Sequence, residues 1–171
     1  MGSIQKVSQY IEDWLAKYLR KSKMDGFVVG VSGGIDSAVT STICARTGYP
    51  TLCLEMGIHQ NESQVSKARN HIQWLKEEYK NVSYHHLSLT KLFNEFCFTL
   101  PNERDNDKKR LALANSRARL RMTTLYYFSA VNNYLVAGTG NKVEDFGIGF
   151  FTKYGDGGVD VSPIADLMKS E

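Results

Sequence analysis

Residues 26–37 read GFVVGVSGGIDS, and the fold turns on how this stretch is read. Phe27, Val28, Val29 and Val31 make a short β-branched run between Gly26 and Gly33, the pattern of a strand buried on both faces. The run ends in Ser-Gly-Gly-x-Asp-Ser, and two adjacent glycines weaken any strand or helix that passes through them. A feature that costs stability in an otherwise ordinary chain points to chemistry. Ser37–Arg46 then reads as a helix stopped by Gly48 and Pro50, and Thr51–Met56 as a second strand, so the stretch opens a β-α-β unit.

The rest of the chain extends this pattern. Ile4, Val7, Ile11, Trp14, Leu15, Tyr18 and Leu19 recur at helical spacing and predict an amphipathic helix over 4–20. Asn61, followed three residues later by Gln64, resembles a capping box opening a helix to about Tyr79; Val82–Leu87 reads as a third strand. A helix near 89–98, a polar loop at 101–107, a long helix over about 108–133 and a fourth strand at Tyr134–Ala137 follow. Strands alternating with helices imply a three-layer α/β/α fold of Rossmann-like type, with a parallel sheet and right-handed crossovers. After Ala137 the pattern stops, and the glycine-rich stretch 138–160 shows no sustained period. A structureless loop of that length inside a compact domain is expected to be functional.

Composition narrows the class. The chain has 171 residues, 42% of them hydrophobic, which fits one domain over 1–171. Its 21 basic and 18 acidic residues leave a net charge of +3, short of a nucleic-acid binder's usual excess. Cys44, Cys53 and Cys97 are odd in number, widely spaced and set in apolar runs, so they read as buried thiols of a reducing compartment, without a disulfide or zinc site. No run approaches the ~18 apolar residues of a membrane span, and the N-terminus has no secretory core. A cytoplasmic protein is expected, with Met1–Ser3 read as a cloning scar.

An open parallel sheet binds ligands at the carboxyl ends of its strands, where GVSGGIDS lies, directly before a helix. Gly33 and Gly34 are expected to adopt positive φ and to bring backbone N–H groups to a phosphate at the helix N-terminus. Ser32 and Ser37 add hydroxyl donors. Asp36 is out of place at an anion site unless a Mg2+ links it to phosphate oxygens. The plainer alternative is a tight turn with Asp36 as the helix N-cap.

The motif SGGIDS at 32–37 resembles the pyrophosphate-binding loop of the ATP-pyrophosphatase family. Residues 138–160, GTGNKVEDFGIGFFTKYGDGGVD, with NSRARLRM at 115–122, are similar to the signatures of its ammonia-dependent NAD synthetase branch, a resemblance that covers essentially all of the chain. The resemblance implies the adenine nucleotide alpha-hydrolase-like fold. It also implies ATP-dependent amidation of deamido-NAD by ammonia through an adenylated intermediate, releasing AMP and pyrophosphate, in a homodimer. By matching positions, Gly30, Val31, Ser32, Gly33, Gly34, Ile35, Asp36 and Ser37 would hold ATP with Thr139 and Lys169. Met56 would lie at the adenine, with core packing the equal alternative. Asp36 and Glu144 would bind Mg2+, and Arg119, Lys153 and Asp160 would bind deamido-NAD. Asp156 is the candidate to orient ammonia or accept its proton.

Many family members read GTD where this chain has Gly138-Thr139-Gly140, so the role of that aspartate is absent or passes to Asn141 or Asp145. Family members also continue past the equivalent of Glu171, so the C-terminal part of the family's domain is expected to be lacking. Phe150 and Phe151 could wall a pyridine ring or pack in the core. His85 and His86 read as surface or packing residues. Of the basic residues on the long helix (Lys108, Lys109, Arg110, Arg117, Arg119 and Arg121), all but Arg119 read as a solvated or interface face. The competing functions are a tRNA-modifying ligase with the same loop and a nucleotide-binding module without catalysis.

Overall fold

The apolar run that opens the sequence reading is the centre of the molecule. In the computed structural model, which describes residues 3–102 and 104–170, strand β1 (Gly26–Gly30) has Phe27, Val28 and Val29 fully buried. Met1, Gly2 and Glu171 lie outside the described residues. Ser3 is the first residue of helix α1 (Ser3–Ser22), so the expected scar overlaps a structured element. Helix α2 (Ile35–Arg46), β2 (Thr51–Gly57), α3 (Glu62–Glu78), β3 (Val82–Ser88), α4 (Thr90–Thr99), α5 (Asp107–Asn132) and β4 (Tyr134–Ala137) follow in that order.

The sheet order is β3-β2-β1-β4, with every pair parallel. Strand alternation assigns its faces. Phe27 and Val29 join Ile11, Leu15 and Leu19 of α1 and Ile43 of α2 on one face, and Val31 and Cys53 meet Ile72 and Leu75 of α3. Val28, Leu54, Met56 and Val136 pack against Met122 and Leu125 of α5 on the other face. Beyond β4, Val161 bridges Ala137 in parallel, so residues 160–161 return the glycine-rich stretch to the sheet edge.

Local chemistry explains the boundaries. The Asn61 side chain accepts from the Ser63 N–H and caps α3, and the Asn106 side chain accepts from the Lys109 N–H at the start of α5. Asn133 closes α5 in the left-handed conformation (φ 57°). Cys44 and Cys53 are buried free thiols, and burial pushes both above the ordinary cysteine range. Helix α1 departs from the expected pattern, because Ile4, Val7, Trp14 and Tyr18 remain exposed while Ile11, Leu15 and Leu19 carry its packing. Phe150 and Phe151, read as either wall or core, are both exposed, which removes the core alternative. His85 stacks on Phe128 with ring centroids 5.1 Å apart, a packing role as expected.

Because Phe27 is fully buried between sheet and helices, Phe27→Ala is expected to lower stability by about 3–5 kcal/mol, read from urea unfolding midpoints.

Candidate active site

The bend between β1 and α2 places the first group of candidate residues. Gly33 has φ +85°, and a Cβ there would stand 2.5 Å from the Gln64 carbonyl oxygen of α3, so both conformation and space exclude a side chain. Gly34 differs from the expectation. Its φ is −88°, an ordinary value, because it serves as the N-cap of α2, and an added Cβ would meet only Ser32 Oγ at 3.4 Å. Nothing in the scaffold requires glycine at 34, so its absent side chain keeps open space in front of the helix N-terminus. Ser32 and Ser37 hold the bend: Ser37 Oγ accepts from the Ser32 N–H (3.2 Å) and donates to the Gly34 carbonyl (3.0 Å), and Ser32 Oγ accepts from the Gly34 N–H (3.2 Å).

Asp36 is not a cap. It lies in the first turn of α2, where its Oδ2 is 3.1 Å from Lys169 Nζ, and Glu144 Oε1 lies 3.1 Å from the same nitrogen. Two carboxylates from distant parts of the chain thus converge on one cation position, presently filled by an ammonium. They hold the Lys169 pKa above its usual value, chiefly through the hydrogen bonds to Glu144 and Asp36. Among the described residues no group of three or more His, Cys, Asp or Glu could hold a metal alone. A pair of hard oxygen donors suits Mg2+, which keeps waters and phosphate oxygens as its remaining ligands. The residues present therefore fit the implied ion.

Next to the bend, on the α5 face, lies a cavity of about 260 Å3. Gly30, Val31 and Ser32 line it with Met56, Thr139 and Asp156, six of the sequence-derived candidates. A Cβ on Gly30 would stand 3.3 Å from Met56 Cε, at the cavity wall. The remaining wall includes Leu54, Met122 and Leu125 of the core, with Gln60 and Arg121 as polar members. Arg121 corrects the reading of the basic helix. Its Nε donates to the Met56 carbonyl (3.0 Å), and burial leads the causes that lower its pKa, so it faces the cavity rather than solvent. Arg121 shares this cavity wall with Ala118, one turn earlier on α5.

The other candidates take different positions. Arg119 Nε donates to the Lys153 carbonyl (3.1 Å), which brings those two residues together on the exposed rim. Asp160 is not grouped with them. Its Oδ2 accepts from the Val136 N–H (2.8 Å) and its Oδ1 from the Tyr126 hydroxyl (3.0 Å). Burial, then this bond, pushes Tyr126 up to about 12. Asp156 Oδ1 accepts from the Thr152 N–H (2.7 Å), and Thr152 Oγ1 donates to Asn115 Oδ1 (3.0 Å), which joins the glycine-rich stretch to α5. The Asp145 carboxylate lies against Gly140, in the space a Cβ at 140 would need. Burial first, then Asp156 and Glu144, raise its pKa.

A family model described as NAD synthase matches residues 7–171. The chain belongs to the NAD synthase family. An NH3-dependent NAD+ synthetase of Carboxydothermus hydrogenoformans is 40% identical over 98% of the chain and 67% of its own length, and one of Sulfurisphaera tokodaii is 38% identical over 97% and 57%. Solved NAD synthase folds agree: an NH3-dependent NAD synthetase of Campylobacter jejuni superposes with a TM-score of 0.86 at 32% identity, covering 100% of this chain and 71% of that one. An NMN synthetase of Francisella tularensis gives 0.88 at 33% identity, covering 99% and 68%. The chain spans 57–67% of the length of the first three curated relatives it matches.

The two loop glycines separate by experiment. Gly33→Ala is expected to lose about 2 kcal/mol or more of stability from left-handed strain and the clash with α3. Gly34→Ala is expected to change stability by less than ~0.5 kcal/mol yet to weaken binding of an ATP analogue, measured by calorimetry. Undiminished nucleotide binding by Gly34→Ala would remove the loop from the site.

Proposed function

We propose that the chain carries the ATP site and part of the dinucleotide site of an ammonia-dependent NAD synthetase. The observation that carries this reading is the convergence of Asp36 and Glu144 on one cation position directly after the glycine bend. Family membership and the identities to NH3-dependent synthetases support the substrates: ATP, deamido-NAD and ammonia.

The chemical obstacle is that a carboxylate acylates poorly, since its leaving group would be oxide. In the proposed reaction the nicotinate carboxylate attacks the α-phosphorus of ATP and expels pyrophosphate. Ammonia then attacks the carbonyl carbon of the mixed anhydride, AMP leaves, and the nitrogen loses a proton. The bend's amide groups and the α2 N-terminus bind phosphate oxygens, while the apolar wall of Leu54, Met56, Met122 and Leu125 takes the adenine. Asp36 and Glu144 would hold Mg2+, which when bound would supply charge neutralisation for the departing pyrophosphate. Lys169, released from those carboxylates, turns its ammonium to the same phosphates. Arg119 and Lys153 on the rim bind negative groups of deamido-NAD. Asp156, on the cavity wall, orients ammonia and accepts its proton. Asp160 acts on the dinucleotide site through Tyr126 and the end of β4.

The outer face of α5 supports a homodimer. Tyr127 and Val131 lie opposite the sheet-facing Met122 and Leu125 and are 63% and 65% exposed. A surface helix with apolar residues on both faces fits a second copy. The three free cysteines fit a reducing cytoplasm. Among the described residues no helix is long and apolar enough to cross a membrane.

One observation favours a second reading. The Francisella structure is named an NMN synthetase, so amidation of nicotinate mononucleotide is the competing reaction. In the full-length protein, labelled pyrophosphate should exchange into ATP when deamido-NAD is added. Exchange that prefers nicotinate mononucleotide would move the assignment to that substrate, and exchange with neither would end it. Asp36→Asn is expected to reduce NAD formation by about two orders of magnitude with the fold intact by circular dichroism.

A further inference from the structure

Asn141 is only 2% exposed. Its Oδ1 accepts from the backbone N–H groups of Val143 (3.0 Å) and Glu144 (3.1 Å), and its carbonyl accepts from the Asp145 N–H (3.0 Å). Lys142, next in sequence, donates its N–H to the Leu167 carbonyl (3.0 Å), which ties this corner to the segment carrying Lys169. Among the described residues, Asn141 Nδ2 is the buried side-chain nitrogen or oxygen without a hydrogen-bond partner. Stranding a buried donor costs roughly 1–3 kcal/mol.

That cost invites the question of why the residue is not aspartate. Aspartate caps as well as asparagine and would make both bonds with no stranded donor. It would also bury a further negative charge beside Glu144 and Asp145. The amide supplies the acceptor without the charge.

Glu144 stands on a π-helical turn, Val143–Gly147, closed by the Ile148 N–H donating to the Val143 carbonyl (2.9 Å) and the Phe150 N–H to the Glu144 carbonyl (2.7 Å). Such turns are rare and have little intrinsic stability, so this one depends on an outside anchor. We propose that Asn141 is a positioning residue for the cation site: its side-chain carbonyl pins the backbone of Glu144 and thereby aims that carboxylate at the point shared with Asp36. The inference rests on the function proposed above and adds to it a residue that touches neither substrate nor metal.

The test is Mn2+ binding to the full-length protein with α,β-methylene-ATP, followed by electron paramagnetic resonance, with thermal unfolding measured in parallel. Asn141→Ala is expected to weaken Mn2+ binding by at least about tenfold, the usual cost of losing an outer-shell partner. Asn141→Asp, which keeps both cap bonds, restores Mn2+ binding to the wild-type level or beyond. Should Asn141→Ala not fold, Asn141→Ser, whose hydroxyl reaches less far, must still bind Mn2+ more weakly than wild type. Lower thermal stability with unchanged Mn2+ affinity, in Asn141→Ala or in Asn141→Ser, overturns the inference and leaves Asn141 a plain cap. Wild-type protein that retains no Mn2+ with the nucleotide overturns the proposed cation site, and this inference with it.

Discussion

A parallel strand must reverse into a helix within a few residues at Gly33, and the chain has no room there for a side chain. The Gln64 carbonyl of α3 closes the space a Cβ would take, and φ is +85°. This tight passage brings the N-terminus of α2 to the carboxyl edge of the sheet. From it follow the open space before Gly34, the first-turn position of Asp36 and the start of the cavity at Ser32. A looser bend would bury the same core and lose all three placements.

The second constraint is charge. Asp36, Glu144, Asp145 and Asp156 gather near a sheet edge, and the Asp145 pKa is raised there, first by burial and then by the charges of Asp156 and Glu144. Lys169 relieves part of it by bridging Asp36 and Glu144, and Arg121 faces Asp156 from α5. The same arrangement suits a site that must take up a polyanion with its cation. On the proposed reading the carboxylates would draw in the cation, the cation would admit phosphate, and the apolar wall behind Met56 would receive a flat base without competing for the charges.

Much of this was legible in the chain itself. The β-branched run between Gly26 and Gly33 marked β1, Gly48 and Pro50 marked the break before β2, and Asn61 marked the start of α3, because these are local signals. What stayed hidden depended on tertiary placement. The ordinary φ of Gly34 follows from its role as N-cap, which the glycine pair alone does not reveal. Arg121 reads as solvated until the sheet-facing side of α5 is known, and the two bonds made by Asp160 depend on β4 returning beside residues 160–161. Half of the α1 apolar stripe remains exposed for a similar reason: periodicity reports a face, while burial requires something packed on it.

The most direct measurement is a crystal structure of the full-length protein with α,β-methylene-ATP and Mn2+, located by anomalous scattering. Manganese is expected between the Asp36 and Glu144 carboxylates, phosphate oxygens on the backbone amides of the 32–37 bend, and Lys169 moved from the carboxylates to the phosphates. A triphosphate bound elsewhere, with the bend empty and Lys169 still bridging the two carboxylates, would contradict the proposed function.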